Sequence, residues 1–543
     1  MVNGAKTKSG WTAPGLMVVA LIVIVVARLT AEHFDFAVAN IITLISCFVF
    51  YMTGLVWWLR AGKASWRVKL GVIFAPALLL LIGLCFYKPL GFDSELFPRF
   101  RYRWKTIEIK SPAISSTPSI NADISGLAQQ GTTDYAGFMG ADRKATLSNA
   151  RCVDLDTWTE TTPELLWSQT IGAGWSAFSV VGEIAVTLEQ AGENESLRAY
   201  ALKSGELLWK TEWKTLHSTS LGGVGPRSTP VIANGIVYAQ GANGYFIAAK
   251  LQSGEKVWDK QLLEVAGITV AEAEQEVAWG RASSPLVVDG QVVIPLGGAG
   301  QNVSTLISFD TATGEEKWRA GTDQVSYASP TLMVLKGVPQ IVSVNRSSVT
   351  SHRLDNGEVL WKADWPGASN GAANVSQPVA IDDERVLLSK GYSTGAKMLK
   401  IQRDSEERWS VQELWADSSV LKTKYTNVVV HAGYAFALSD GILECVDLSD
   451  GKRMWKSKRY RHGQIMLVGQ DLLVVAEDGS VAIGKASPQK FVEAFKFQAI
   501  EGMTWNNPAL AGDLLLVRNG EQAACYRLPI EYSEVTQTGQ SLD

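Results

Sequence analysis

Tyr200-Ala201-Leu202-Lys203-Ser204-Gly205-Glu206-Leu207-Leu208-Trp209 is followed by Ala249-Lys250-Leu251-Gln252-Ser253-Gly254-Glu255-Lys256-Val257-Trp258 and by Asp310-Thr311-Ala312-Thr313-Gly314-Glu315-Glu316-Lys317-Trp318. Each is an apolar segment, a turn glycine and then a tryptophan. The pattern returns at Gly357…Trp361 and Gly451…Trp455, and without its glycine at Asp404-Ser405-Glu406-Glu407-Arg408-Trp409. Together with Trp167, these tryptophans stand roughly 40 to 60 residues apart, the period of a propeller blade.

One unit read in full gives four strands. Thr229-Pro230-Val231-Ile232 ends at Ala233-Asn234-Gly235, and Ile236 to Gln240 ends at Gly241-Ala242-Asn243-Gly244. Tyr245 to Leu251, the turn Gln252 to Glu255 and a short strand to Trp258 complete it. Apolar runs divided by Asn-Gly and Ser-Gly turns are hairpin signals, because glycine accepts positive φ. Four such strands make one propeller blade, and a tryptophan on the outer strand fills the widening wedge between blades.

Inner strands are expected near Trp175, Arg227, Arg281, Tyr327, Asn374, Tyr425, His462 and Trp505. The reading is therefore an all-β, eight-bladed β-propeller over residues 161–530. The seventh unit lacks its tryptophan, and Phe495 is the substitute. The eighth lacks an outer strand, and Leu165-Leu166-Trp167 is expected to supply it, closing the ring without an open edge.

Three apolar runs precede the repeats: Ala13 to Leu29, Ala37 to Trp58 and Leu70 to Tyr87. Each has about the length needed to cross a bilayer, with Trp11, Trp57, Trp58 and Tyr87 near the ends. The expected organisation is a three-span transmembrane anchor (1–90), a linker and propeller-contacting extension (91–160), the propeller, and a tail (531–543). Lys6, Lys8, Arg60, Lys63, Arg67 and Lys69 put the N-terminus and second loop inside. The first loop holds Glu32, His33 and Asp35. Three crossings then place the propeller in the periplasm of a bacterial inner membrane. Arg99, Arg101, Arg103 and Lys105 oppose that charge rule, but long domains translocate largely regardless of charge. Leu29-Thr30-Ala31 is a poor cleavage site, so the first run reads as a retained span, with a signal peptide as the alternative.

The net charge of −4 argues against a nucleic-acid partner. Of five cysteines, Cys47 and Cys85 fall in the apolar runs, leaving Cys152, Cys445 and Cys525, an odd number. No paired C-x-x-C or His spacing marks a metal site, and no nucleophile elbow or phosphate loop stands in its required context.

Polar and aromatic residues crowd the positions just before the inner strands: Trp175, Arg227, Ser228, Arg281, Ser283, Tyr327, Gln377, Tyr425, His462, Gln464, Trp505 and Asn506. In a propeller these gather at one mouth of the channel. Arginines there would supply positive charge, and Trp and Tyr flat faces. That suits a small anionic or planar ligand, or an acidic peptide. The alternative is that these groups only satisfy loop backbone.

The Gly-Glu…Trp blade ending resembles the pyrroloquinoline quinone (PQQ) repeat of quinoprotein alcohol and glucose dehydrogenases and of the BamB propeller. The whole chain is similar to bacterial membrane-anchored PQQ-binding-like propeller proteins. For the enzymes the resemblance implies PQQ with calcium. The alcohol dehydrogenases also carry a vicinal Cys-Cys ring, whereas no two cysteines are adjacent here, and no motif supports the calcium set or a catalytic residue. Two functions follow: a non-catalytic, membrane-anchored binding or assembly scaffold, or a quinoprotein dehydrogenase delivering electrons to membrane quinone.

Overall fold

In the computed structural model the repeats become eight antiparallel sheets arranged in sequence order, and the structure describes residues 12–31, 35–104, 125–129, 131, 133–159, 161–300 and 302–533. Lys6, Lys8, Trp11, Glu32, His33, Lys105, most of the Ser/Ala/Pro-rich linker and the tail beyond 533 lie outside these. The chain divides into two compact units, Met1–Glu108 and Ile109–Asp543.

The first unit holds three helices, α1 (Thr12–Thr30), α2 (Phe36–Ala61) and α3 (Trp66–Phe86), each long and apolar enough to cross a membrane. Asp35 caps α2 by accepting a hydrogen bond from the Ala37 amide at 2.7 Å. A β-hairpin, Tyr87–Phe92 with Pro98–Tyr102, follows α3 directly.

In the second unit, blade 1 runs from Ser179 to Lys214 and blade 2 from Val231 to Gln261. Blade 3 runs from Leu286 to Ala320, blade 4 from Thr331 to Asp364 and blade 5 from Val379 to Asp417. Blades 6 and 7 are Val428–Arg459 and Gln464–Gln498. Blade 8 takes three strands from Ala509–Arg527 and its outermost from Glu164–Thr170, which pairs antiparallel with Gln522–Arg527. The seam is thus closed by backbone hydrogen bonds, as expected. Trp167 is fully buried there. Arg518 reinforces the seam, donating across to Thr187 Oγ1 at 2.6 Å and to the carbonyls of Leu188 and Gly172 at 3.1 and 3.0 Å.

The Gly…Trp signature has a geometric cause. Five wedge tryptophans lie against the turn glycine of the next blade: Trp167 on Gly205, Trp209 on Gly254, Trp258 on Gly314, Trp318 on Gly357 and Trp415 on Gly451. A Cβ on Gly254 would come within 2.4 Å of the Trp209 ring, and one on Gly314 within 2.6 Å of Trp258. The indoles of Trp209 and Trp258 donate to the carbonyls of Leu251 and Thr311, in those same turns. Phe495 occupies the equivalent place in blade 7, paired with Ile483. Blade 5 requires a correction: its wedge residue is Trp415, not Trp409. Trp415 pairs with Met398, lies against Gly451 and donates to Leu448 O at 3.1 Å. Trp409 sits at the strand start, under the Arg403 guanidinium at 5.4 Å.

Gly314→Ala should cost at least about 2 kcal/mol in urea melts. An L-residue in the left-handed region costs about 1–2 kcal/mol, and its Cβ must also displace the Trp258 ring. Gly290→Ala, with a similar φ of 66° but nothing within 4 Å of a Cβ, should show the backbone cost alone.

The extension before blade 8 does more than lie against the propeller. It enters the channel along the free edges of the innermost strands. Tyr135 exchanges both backbone bonds with Val180 of blade 1, and Ile232 of blade 2 donates to Ala136 O. Arg143 donates to Ser284 O at 3.2 Å and to Pro285 O in blade 3. Thr146–Leu147 then adds a short parallel strand inside blade 7, opposite Leu467 and Val468. This plug approaches from the end where the first and second strands of a blade turn, at Gly182, Gly469 and Gly512. Burial pushes the Arg143 guanidinium down to about 9.

Candidate functional site: the channel mouth

At the opposite end of the channel, the polar residues that precede the inner strands form a belt of hydrogen bonds around most of the ring. The Ala177 amide of blade 1 donates to Thr229 Oγ1 of blade 2 at 3.0 Å, and the Thr229 amide donates to Ser284 Oγ of blade 3 at 2.9 Å. Ser284 N continues to Ser329 Oγ at 2.9 Å, Ser329 N to Gln377 Oε1 at 3.2 Å, and Gln377 N to Asn427 Oδ1 at 2.9 Å. Thr229, Ser284, Ser329 and Gln377 each receive from the blade before and give to the blade after. These side chains satisfy inner-strand amides that would otherwise be buried without a partner. Ser228 and Ser283 flank the belt as buried neighbours.

Between blades 6 and 8 the belt changes. Blade 7 has Gln464 at the equivalent position, and its side chain bonds carbonyls in place of an amide, Nε2 donating to Tyr425 O at 3.1 Å and Trp505 O at 2.8 Å. Asn506 Nδ2 completes the circuit on Ser176 O at 2.8 Å and Gly174 O at 3.2 Å. In this sector the aromatic residues converge. Trp175 and Trp505 have ring centroids 4.7 Å apart, Trp505 and Tyr425 5.1 Å, and Tyr425 and His462 5.3 Å. Four blades therefore contribute to one aromatic row. Buried polar atoms without a hydrogen-bond partner collect beside it: Trp505 Nε1, His462 Nδ1, Gln464 Oε1 and Asn506 Oδ1. Burial, first, and the nearby Lys424, Arg459 and Arg461 charges hold the His462 imidazole well below its ordinary range, so it is neutral near pH 7.

The arginines are not arranged as the sequence suggested. Arg227 donates to the carbonyls of its own preceding loop, Gly222 O at 2.9 Å, Gly223 O at 3.0 Å and Gly225 O. Arg281 donates to Pro295 O at 3.1 Å and Leu296 O at 2.6 Å within its own blade. Burial lowers both, each to about 10. Adjacent carbonyls attract a guanidinium at no cost in chain reach, and a sequence does not show that bonding. Tyr327 is buried with Val325, Ala373 and Val277, the last of these just after the short helix Val270–Glu276. Its hydroxyl donates to Ser369 O at 2.5 Å and accepts from the Trp279 amide at 3.2 Å.

Sequence reasoning passed over several buried ionisable groups on this face. Lys390 is fully buried, donates to Pro366 O and Ala372 O, and is pushed down to about 8 by burial. Lys422 pairs with Asp440 at 2.6 Å. Glu195, in blade 1, is pushed up to about 7 by burial, against the opposing pull of the Ala242 amide and the Arg227 charge. Only their flanking Gly and polar residues hinted that these positions end strands at the mouth. For an acid with a raised folded value, the unfolded chain releases its proton first, so stability falls as pH rises from about 4.5 towards 7. Glu195→Gln should melt higher than the parent at pH 8 and almost level with it at pH 4.5, in paired thermal scans.

With the geometry established, comparison with known proteins places the chain. An eight-bladed ring with PQQ-like repeats defines its class. A family model described as outer membrane protein assembly factor BamB matches residues 150–294 and 193–457. The chain belongs to that family. It is 23% identical over 363 residues to BamB of Burkholderia pseudomallei, covering 58% of this chain and 86% of that protein. It is also 23% identical over 371 residues to BamB of Yersinia pestis, covering 65% and 82%. The fold is shared with a europium-containing methanol dehydrogenase (TM-score 0.54, 12% identity, 75% of this chain and 100% of that one). It is shared too with quinohemoprotein alcohol dehydrogenase from Comamonas testosteroni (TM-score 0.53, 12% identity, 77% and 83%).

The residues present do not fit a calcium-bound quinone of the enzymatic kind. Cys445 and Cys525 are buried in the sheets opposite Trp455 and Trp167, away from the mouth, and all five cysteines are free. The unpartnered buried groups around the aromatic row are two amide oxygens, an indole and a neutral imidazole, and the carboxylate beside them, Glu477, is engaged by the His462 amide at 3.2 Å. No group of three His, Cys, Asp or Glu suited to a metal occurs among the described residues.

Proposed function

We propose that this protein is a non-catalytic binding or assembly scaffold, anchored by three membrane spans, with its propeller in the periplasm of a bacterial inner membrane. The observation that carries the reading is the use made of the mouth. Gln377, Gln464 and Asn506 stitch blades together, while Arg227 and Arg281 bind backbone, so the polar groups build a rigid ring rather than a reaction centre. What the mouth offers outward is the row of Trp175, Trp505 and Tyr425, beside the hairpin Ser218–Thr219/Gly223–Val224 with Leu216, Leu221 and Val224 exposed. Trp175 Nε1 donates to Gly222 O in that hairpin, joining row and rim. Aromatic residues with an apolar rim suit a protein partner. BamB relatives are assembly factors by name, which supports the same reading.

The alternative, a quinoprotein dehydrogenase, draws on the flat aromatic faces and the shared fold. Titrating the purified full chain with PQQ and Ca²⁺ separates the two. The scaffold reading expects no saturable absorbance change and no dye reduction with alcohols or glucose. Stoichiometric binding with dye reduction would establish the enzyme instead. Membrane orientation is tested by fusion: alkaline phosphatase at the C-terminus should be active, and inactivity there would overturn the periplasmic placement.

A further inference from the structure

The residue after α3 begins a hairpin whose two faces differ sharply in chemistry. Tyr87 lies opposite Tyr102, Pro89 opposite Phe100, Lys88 opposite Arg101 and, across a bulge, Gly91 opposite Arg99. Because side chains alternate along a strand, Tyr87, Phe100 and Tyr102 share one face, which Trp104 extends. Lys88, Arg99, Arg101 and, in the same alternation, Arg103 share the other. The aromatic rings pack edge to face, Tyr87 on Tyr102 at 5.7 Å, Tyr102 on Trp104 at 5.1 Å and Phe86 on Trp104 at 5.9 Å. Phe100, Tyr102 and Trp104 nevertheless remain 52%, 44% and 63% exposed. An aromatic patch of this kind is unfavourable in water and favourable at a membrane interface.

The hairpin is pinned at both ends. At its root, Arg103 N donates to Phe86 O at 2.8 Å and Arg103 Nε to Leu84 O at 2.9 Å, both at the end of α3. At its tip, Asn40 Nδ2 donates to Glu95 O at 2.8 Å, and Arg28 Nη1 donates to Asn40 Oδ1 at 2.7 Å. Asn40 lies near the start of α2. In consecutive spans, the start of α2 and the end of α3 fall at the same membrane surface. The hairpin therefore runs along that surface instead of projecting from it, with one face towards the hydrocarbon boundary and one towards the headgroups.

We propose that this hairpin binds anionic phospholipid headgroups, in whichever leaflet α3 reaches. The proposal rests on α3 being a span and on nothing about the propeller. It gives a role to the cations that run against the charge rule for the N-terminus-inside orientation. Those residues are placed by headgroup contact. Each basic side chain close to an anionic surface contributes roughly fivefold in partitioning, so the four together favour anionic over zwitterionic lipid by up to on the order of hundreds-fold.

The test uses the full-length chain in nanodiscs of equal phosphatidylcholine and phosphatidylglycerol, released into native mass spectrometry. Wild type should retain phosphatidylglycerol in at least about tenfold excess over phosphatidylcholine. The triple variant Arg99→Gln/Arg101→Gln/Arg103→Gln should fall to near the ratio in the disc. Arg99→Lys/Arg101→Lys/Arg103→Lys should keep most of the enrichment, since a point charge suffices for headgroup attraction. No enrichment in wild type, or equal enrichment in the glutamine variant, overturns the proposal. Loss in the lysine variant as well overturns it too, because the arginines would then be holding the hairpin's shape.

Discussion

Deleting Glu164–Thr170 should abolish cooperative melting of the propeller, although it removes one strand of one blade. The strand joins the two chain ends within blade 8, six of its residues being in register with Gln522–Arg527, and a shorter pairing of Ala150–Cys152 with Ile530–Tyr532 joins them a second time. Without it, the edge of Gln522–Arg527 loses its partner, and Trp167 no longer covers Gly205 or donates to Leu202 O at 2.8 Å. Trp167 and Ser168 are both buried, so the loss combines a large apolar ring with the Gln522 Nε2 to Ser168 Oγ bond at 2.8 Å. A large buried aromatic alone is worth about 3–5 kcal/mol. With the ladder bonds added, the total is comparable to the 5–15 kcal/mol that holds a typical domain folded. Circular dichroism and limited proteolysis check this. A deletion that melts like wild type would mean that the ring is closed elsewhere, with the pairing of Ala150–Cys152 and Ile530–Tyr532 as the first suspect and Arg518 as the second.

Trp258→Ala should destabilise the propeller by about 3–5 kcal/mol. The indole packs against Phe246, Phe309 and Tyr238, donates to Thr311 O, and supports Gly314 of the next blade. The comparison within blade 5 sharpens the point. Trp415→Ala should be costly because Trp415 supports Gly451. Trp409→Ala should cost less, because Trp409 is half-buried at the edge of the core around Trp361 and Ile401, stacks with Arg403 and supports no turn glycine. Equal losses at 409 and 415 in urea melts would remove the distinction between wedge and edge tryptophans.

That distinction also shows where the sequence was legible. Seven wedge positions follow from Gly…Trp spacing, from Phe495 and from the orphan Trp167, because one contact repeats between blades and leaves both partners in the chain. Blade 5 broke the pattern. Its turn has Glu407 at a positive φ of 63° where blades 1, 2, 3, 4 and 6 have Gly205, Gly254, Gly314, Gly357 and Gly451. Its last hairpin is longer, Gly395–Arg403 with Trp409–Asp417, which carries the wedge position on to Trp415. The plug was not legible beyond its apolar content, since Thr146–Leu147 is too short to show periodicity and its partners are more than 300 residues away. At the mouth the polar residues were visible but their use was not. Gln377 reads as a ligand residue until the Ser329 amide that it accepts from is seen, and Thr229, read only as strand, accepts from the Ala177 amide in the same way. Trp175, Tyr425, His462 and Trp505 come together through four separate blades, and only the blade count brings them near one another.

A protein partner on the mouth rim should be within reach of Leu221. That is tested most directly by photocrosslinking in intact membranes from position 221, in the exposed rim hairpin, with position 413 on the exposed outer strand of blade 5 as the control. A discrete protein adduct from 221, lost when Trp175 and Trp505 are both changed to Ala and absent from 413, is the expected result. No adduct from 221, or the same adducts from both positions, would contradict it.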